Sequence, residues 1–180
     1  MDKDTLVARQ APFKQQYRED AASAVIILRA DGQLGEGVSC SVTTGRAMAE
    51  AGLHPAAGGD GSQLCSGDML LEALVACAGV TMKAVAISLG IDIREGTVRA
   101  EGDLDIRGTL GVAKDAPVGF RAIRLGFELD SDADDDQLAT LLRLTERYCV
   151  VWQTIHHPPE ASVTLTTARA AGSVEPGRPR

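Results

Sequence analysis

No basic stripe runs through this sequence. With 18 Lys and Arg against 25 Asp and Glu in 180 residues, the formal net charge is -7. A negative field disfavours nucleic acid and anionic membrane surfaces, so neither is expected as a partner. No apolar h-region follows Met1-Asp2-Lys3-Asp4, which argues against a secretory signal and leads to an expected cytoplasmic location. In that compartment Cys40, Cys65, Cys77 and Cys149 are reduced and form no structural disulfide framework. No C-x-x-C spacing occurs, and His54, His156 and His157 make no zinc pattern with the cysteines, so neither a metal site nor a cofactor is expected. Aromatic residues are few, at 3%, within an ordinary apolar content of 44%. The length suits one hydrophobic core, and nothing in the composition forces a division into two domains.

Long uncharged runs are also missing. The most apolar stretch, Ser66 to Gly90, contains Glu72 and Lys83, which leave only Ala73 to Met82 uncharged between them. A bilayer needs roughly 20 apolar residues, so the stretch is expected to be a helix of a soluble core. Ser66 or Asp68 can cap its start, and Gly90 can end it in a left-handed conformation. At helical angles Leu71, Leu74, Val75, Ala78, Met82 and Val85 form a bulky apolar face. Ala73, Ala76, Cys77, Val80, Ala84 and Ile87 form a small-residue face almost opposite. A narrow strip with Asp68, Glu72, Gly79 and Lys83 separates them. Such a helix must be covered on two sides, which places Cys77 centrally and at least partly buried.

Before this helix, Leu6 to Asp20 has helical composition. Ala24 to Ala30, the turn signal Asp31-Gly32 and the alternating Val38 to Thr43 predict a β-hairpin, with Cys40 as a small core residue. Thr44 to Cys65 loses periodicity, apart from a helical fragment near Arg46 to Ala51. Its Gly58-Gly59-Asp60-Gly61 run lacks the lysine and hydroxyl residue of a phosphate-binding loop, so it reads as a long connection to the helix start.

After Gly90 the period changes to two. Val98, Ala100, Gly102, Leu104 and Ile106 alternate with charged residues, and Phe120 to Asp130 alternates again, predicting two antiparallel strands. The acidic run Asp130 to Asp136 lacks EF-hand spacing, and Asp134 with Gln137 reads as a capping pair. One helix then carries Leu138, Leu141, Leu142, Thr145, Cys149 and Trp152 on one stripe. Ser162 to Thr167 is expected as a last strand with Val163 and Leu165 inward, and the residues from 169 on as a flexible tail.

The sequence Leu70-Leu71-Glu72-Ala73-Leu74-Val75-Ala76-Cys77 on a long helix, with Ser66 and Asp68 at its start, followed far downstream by Glu146-Arg147-Tyr148-Cys149-Val150-Val151, resembles the OsmC and Ohr family of osmotically induced and organic-hydroperoxide-resistance proteins. It is closer to a divergent OsmC-like branch than to the hydroperoxide-resistance subgroup. The resemblance implies an α+β fold, with antiparallel sheets wrapped around long central helices and completed as an intertwined homodimer. It spans residues 21–168, after a helical extension at 1–20 and before the tail at 169–180.

By this likeness the protein is a thiol-dependent peroxidase of organic hydroperoxides, with Cys77 peroxidatic, Cys149 resolving and an external dithiol as reductant. The alternative is a member without turnover that binds a small apolar or thiol-bearing ligand. Where the hydroperoxide-resistance subgroup has Asn-Pro-Glu at the helix start, this chain has Cys65-Ser66-Gly67, so Asp68 stands in for the carboxylate that orients an activating arginine. Arg29 is the nearest match to that arginine, with Arg46 and Arg147 as rivals. The cysteine-proline of the second motif is Cys149-Val150 here. Cys65, at a helix N-terminus, has a lesser claim to reactivity.

Overall fold

A computed structural model of the protein describes the backbone of residues 3–34, 40–42 and 51–165, and the side chains of residues 8, 11–26 and 52–165. Helix α1 (Lys3–Glu19) opens the chain and holds Pro12 within it. A 3-10 turn (Ala21–Ala24), capped by the Asp20 carboxylate accepting from the Ala22 N–H, leads into strand β1 (Val25–Leu34). Strand β2 (Cys40–Val42) returns antiparallel, with Leu34 opposite Cys40 and Gly32 opposite Val42.

The expected hairpin therefore exists, but Asp31-Gly32 is not its turn. Both residues stay in β1 because a third strand pairs along them, Asp31 opposite Arg99 and Gly32 opposite Val98. A continuous partner overrides a local turn preference. The helical fragment expected near Arg46 to Ala51 lies almost wholly outside the described residues, as do the side chain of Cys40 and the tail.

Strands β3 (Ala51–Gly52) and β4 (Leu64–Cys65) form a short parallel pair around a 3-10 turn at Pro55–Ala57. Helix α2 (Ser66–Leu89) follows directly and ends at Gly90, whose φ of 70° is the left-handed cap read from the sequence. Strand β5 (Glu95–Asp105), the short helix α3 (Ile106–Thr109) and strand β6 (Phe120–Asp130) come next. The main sheet has the order β2-β1-β5-β6, antiparallel throughout. In β5 the buried Gly96, Val98, Ala100 and Gly102 alternate with more open positions, as the sequence predicts. Gly102 is required by a close approach: a Cβ there would lie 2.4 Å from the Phe120 ring.

Helix α4 (Asp135–Tyr148) starts in the expected capping box, Asp134 accepting from the Gln137 N–H and Gln137 from the Asp134 N–H. It does not continue to Trp152. Cys149 is extended, with φ −70° and ψ 106°, and a separate helix α5 (Val150–His156) begins after it. The stripe is thereby split, and Leu142 is 44% exposed rather than inward. The expected last strand is not formed over residues 162–165. Pro158-Pro159 removes two backbone donors just before it, and Val163 and Leu165 are 79% and 70% exposed. Thr166 and Thr167 lie outside the described residues.

The core is organised by α2. All six residues of its bulky face are buried, Leu71, Leu74, Val75 and Ala78 against Val98 and Ala100 of β5 together with Cys149. Met82 and Val85 pack with Ile91, Ile93 and Leu141. Helix α1 joins the fold through Tyr17, buried among Ala24, Ala57, Ile106 and Leu110, whose hydroxyl donates to the Ala56 carbonyl at 2.7 Å. By length and composition α2 is long and apolar enough to cross a membrane, contrary to the charge-based expectation. Here it is the core helix against which the sheet, α4 and α5 are packed.

Candidate active site

Cys77 sits near the middle of α2 and is half-buried, while Cys149 is fully buried in the break between α4 and α5. The break has a chemical consequence. The first N–H groups of a helix have no partners within it and must find them elsewhere. In α5 they find sulfur: the N–H groups of Val150 and Val151 act on Cys77, and the Trp152 N–H donates to Cys149 Sγ at 3.4 Å.

Both thiols are free and lie within hydrogen-bonding reach of each other. Burial pushes the Cys77 thiol up. Against it stand the Val151 N–H, the Cys149 thiol, the Thr81 hydroxyl and the Val150 N–H, which together hold Cys77 below the usual cysteine range. Burial also dominates at Cys149, where the contact with Cys77 adds to it despite the Trp152 N–H, and the group is pushed up to about 11. One sulfur is thus held below the ordinary cysteine range beside another held above it. Among the described residues the groups acting on Cys77 carry no positive charge.

The structure therefore brings Cys77 and Cys149 together. Asp68 is elsewhere, in the first turn of α2 and nine residues from Cys77, about 13 Å along the axis. Burial raises its carboxyl above the ordinary value and His54 draws it back; Glu72 is raised by burial and then by Asp68. His54 Nδ1 accepts from the Ala56 N–H at 3.0 Å.

Arg29 lies in β1 opposite Glu101, and its side chain and all of Arg46 lie outside the described residues. Arg147 is exposed, its guanidinium 5.4 Å from the Tyr148 ring centre. Cys65 occupies the N-cap position of α2 without making a capping hydrogen bond and packs against the Leu71 cluster. Lys83 of the polar strip donates to the Ile93 carbonyl at 3.3 Å, and Gly79, assigned to the same strip, is buried.

The sequence reading missed three contributors: Thr81 and the N–H groups of Val150 and Val151. The spacing of four between Cys77 and Thr81 on a helix was a usable signal. The backbone donors were not legible without the break at Cys149. A cavity of about 400 Å³ lies between α2 and α4, lined by Val80, Thr81, Ala84, Leu89, Leu144 and Tyr148 among others.

Comparison with known proteins gives a consistent family. The sequence profile of the family described as OsmC-like protein matches residues 59–164. No curated protein matches the chain. Among solved structures, the fold is similar to that of an OsmC-like hydroperoxide resistance protein from Jannaschia sp. CCS1, with TM-score 0.59 and 14% identity over 84% of this chain and 99% of that one. It is also similar to an OsmC-like protein from Mycoplasma pneumoniae, with TM-score 0.52 and 17% identity over 74% and 86% of the respective chains.

Proposed function

Since the chain belongs to the OsmC-like family, we propose that it is a thiol-dependent peroxidase reducing organic hydroperoxides through Cys77 and Cys149. The observation that carries this reading is the meeting of two free cysteines at the α4–α5 break, with Cys77 lowered and Cys149 pushed up to about 11. A solved relative of the same fold being called a hydroperoxide resistance protein supports it.

The Cys77 thiolate attacks the terminal oxygen of the hydroperoxide. An S–O bond forms as the O–O bond breaks, the sulfur gives up two electrons, and the alkoxide leaves as alcohol after taking a proton from water. Cys77 is then a sulfenic acid. The Cys149 sulfur attacks it, forming the disulfide and releasing water made from the sulfenic hydroxyl and the Cys149 proton. An external dithiol restores both thiols by exchange.

In this reading the working form is a cytoplasmic, intertwined homodimer. The small-residue face of α2 is where the second copy packs; Ile87 of that face is 58% exposed in the single chain. Residues 21–168 form the family domain, with 1–20 as its helical extension and 169–180 as a tail. Arg29 and Asp68 retain the supporting roles that the resemblance assigns them, the arginine lowering the thiol and the carboxylate orienting the arginine.

A second reading, a ligand-binding member without turnover, is favoured by the apolar cavity between α2 and α4. The deciding experiment supplies cumene hydroperoxide and dithiothreitol to the purified protein. Catalytic consumption that disappears in Cys77→Ser is the expected result. No consumption by the wild type, with saturable binding of an apolar ligand, establishes the second reading instead.

A further inference from the structure

Hydroxyl residues inside helices ordinarily give their proton to the carbonyl four residues back. Among the described residues three do so: Thr145 to Leu141 at 2.8 Å, Thr154 to Val150 at 2.8 Å and Ser88 to Ala84 at 2.9 Å. Thr81 has as the residue four back Cys77, and its hydroxyl acts on the Cys77 sulfur. It is half-buried, lies on the same side of α2 as Cys77 and lines the cavity between α2 and α4.

We propose that Thr81 is a positioning residue for Cys77, its hydroxyl, one helical turn on, donating to the sulfur and fixing its orientation on α2. The proposal rests on Cys77 being the reactive thiol of the peroxidase reading. It extends that reading by naming a donor that neither the family match nor the two-cysteine pattern supplies.

The physical case is one of substitution. A thiolate leaving water needs donors in place of its hydration shell, and a hydrogen bond to an ionised acceptor is about twice as strong as one between neutral groups. The described donors at Cys77 are two backbone N–H groups, the Cys149 thiol and Thr81. Of these only the Thr81 hydroxyl can be removed by a nearly isosteric side-chain change. The facing titratable group is Cys149, from the α4–α5 junction; on α2 itself, Lys83 is turned to the Ile93 carbonyl and Glu72 couples to Asp68.

The test is the pH dependence of iodoacetamide labelling at Cys77, followed by peptide mass mapping in the full chain, for wild type, Thr81→Val and Thr81→Ser. Thr81→Val is expected to slow labelling at pH 7 by about three- to tenfold and to move the profile upward by roughly half to one pH unit. Thr81→Ser, which keeps the donor, is expected to stay close to wild type. Thermal melting checks the fold, and should the valine variant fail to fold, Thr81→Ala takes its place.

An unchanged profile in the variant lacking the hydroxyl, or an equal loss in the serine variant, overturns the proposal. Labelling does not depend on hydroperoxide turnover, so the two readings fail separately. A wild type without peroxidase activity but with Thr81-dependent labelling sinks the peroxidase alone, and an active wild type with Thr81-independent labelling sinks the role of Thr81 alone.

Discussion

Cys77 and Cys149 face each other across the α4–α5 break, and each acts on the other in the opposite direction, Cys149 lowering Cys77 and Cys77 raising Cys149. Burial is the larger influence on both. At Cys77 the surrounding donors overcome it, and at Cys149 they do not. Labelling of Cys77 by iodoacetamide is therefore expected to begin below the ordinary cysteine midpoint, about 8.5, and Cys149 is expected to resist until the pH nears 11. Peroxidase activity should rise with pH through the lowered Cys77 value and then level off. Cys149→Ala, which removes a donor, is expected to shift the Cys77 labelling profile upward.

Val150→Pro tests the backbone contribution. Residue 150 is the first of α5, where proline is well tolerated, and Cys149 before it is extended, as a residue preceding proline must be. The exchange deletes one N–H and little else. We expect the melting temperature to stay within a few degrees and Cys77 labelling at pH 7 to fall by roughly threefold or more, because raising the midpoint of a thiol by one pH unit leaves about a tenth as much thiolate. Unchanged labelling in a folded variant would show that the Val150 N–H does not act on the sulfur.

Trp152 is the one tryptophan in the sequence, and its backbone N–H donates to Cys149 Sγ. Its indole stacks on the His156 ring, 5.8 Å between centres. Forming a Cys77–Cys149 disulfide alters the acceptor at the start of α5 and with it the setting of the indole. One equivalent of cumene hydroperoxide is expected to change the tryptophan emission of wild type, dithiothreitol to reverse the change, and Cys77→Ser to show none.

At the end of β5, Asp105 is 1% exposed and caps α3, accepting from both the Arg107 guanidinium and the Arg107 backbone N–H in the helix's first turn. The guanidinium holds the Asp105 carboxyl below its usual value, burial opposing it. Because the folded value lies below the unfolded one, the contribution to stability is complete above the ordinary aspartate range and is lost as pH falls through the folded value. Asp105→Ala is expected to destabilise by about 1–3 kcal/mol at pH 7. Urea titrations at descending pH should find the gap between variant and wild type closing below about pH 4.

The features legible in the sequence were those written in local chemistry. The α2 boundary follows from Gly90, its buried face from the spacing of Leu71, Leu74, Val75, Ala78, Met82 and Val85, and the start of α4 from the Asp134 and Gln137 pair. What failed depended on a partner distant in the chain. Asp31-Gly32 signals a turn, yet β5 pairs through it. The stripe from Leu138 to Trp152 fits one helix, but the chain breaks at Cys149, where sulfur takes the place of carbonyl partners for the next turn. Val163 and Leu165 alternate like a strand but have none beside them among the described residues. The two cysteines were found because they lie on apolar faces in a familiar order. The neutral donors around Cys77 were hidden by the same break.

Cys149 is sealed in the interior while Cys77 is half-open, and in the proposed cycle that inequality would govern how the oxidised pair is recycled. In the single chain a reductant meets the outer sulfur first, and attack there would expel Cys149, the buried thiol that holds its proton the more strongly of the two. The easier exit, through Cys77, would demand a blow on the buried sulfur. In the proposed cycle, regeneration rather than peroxide cleavage is then expected to be the slow half, and a cell short of dithiol would find the protein parked in its bridged form.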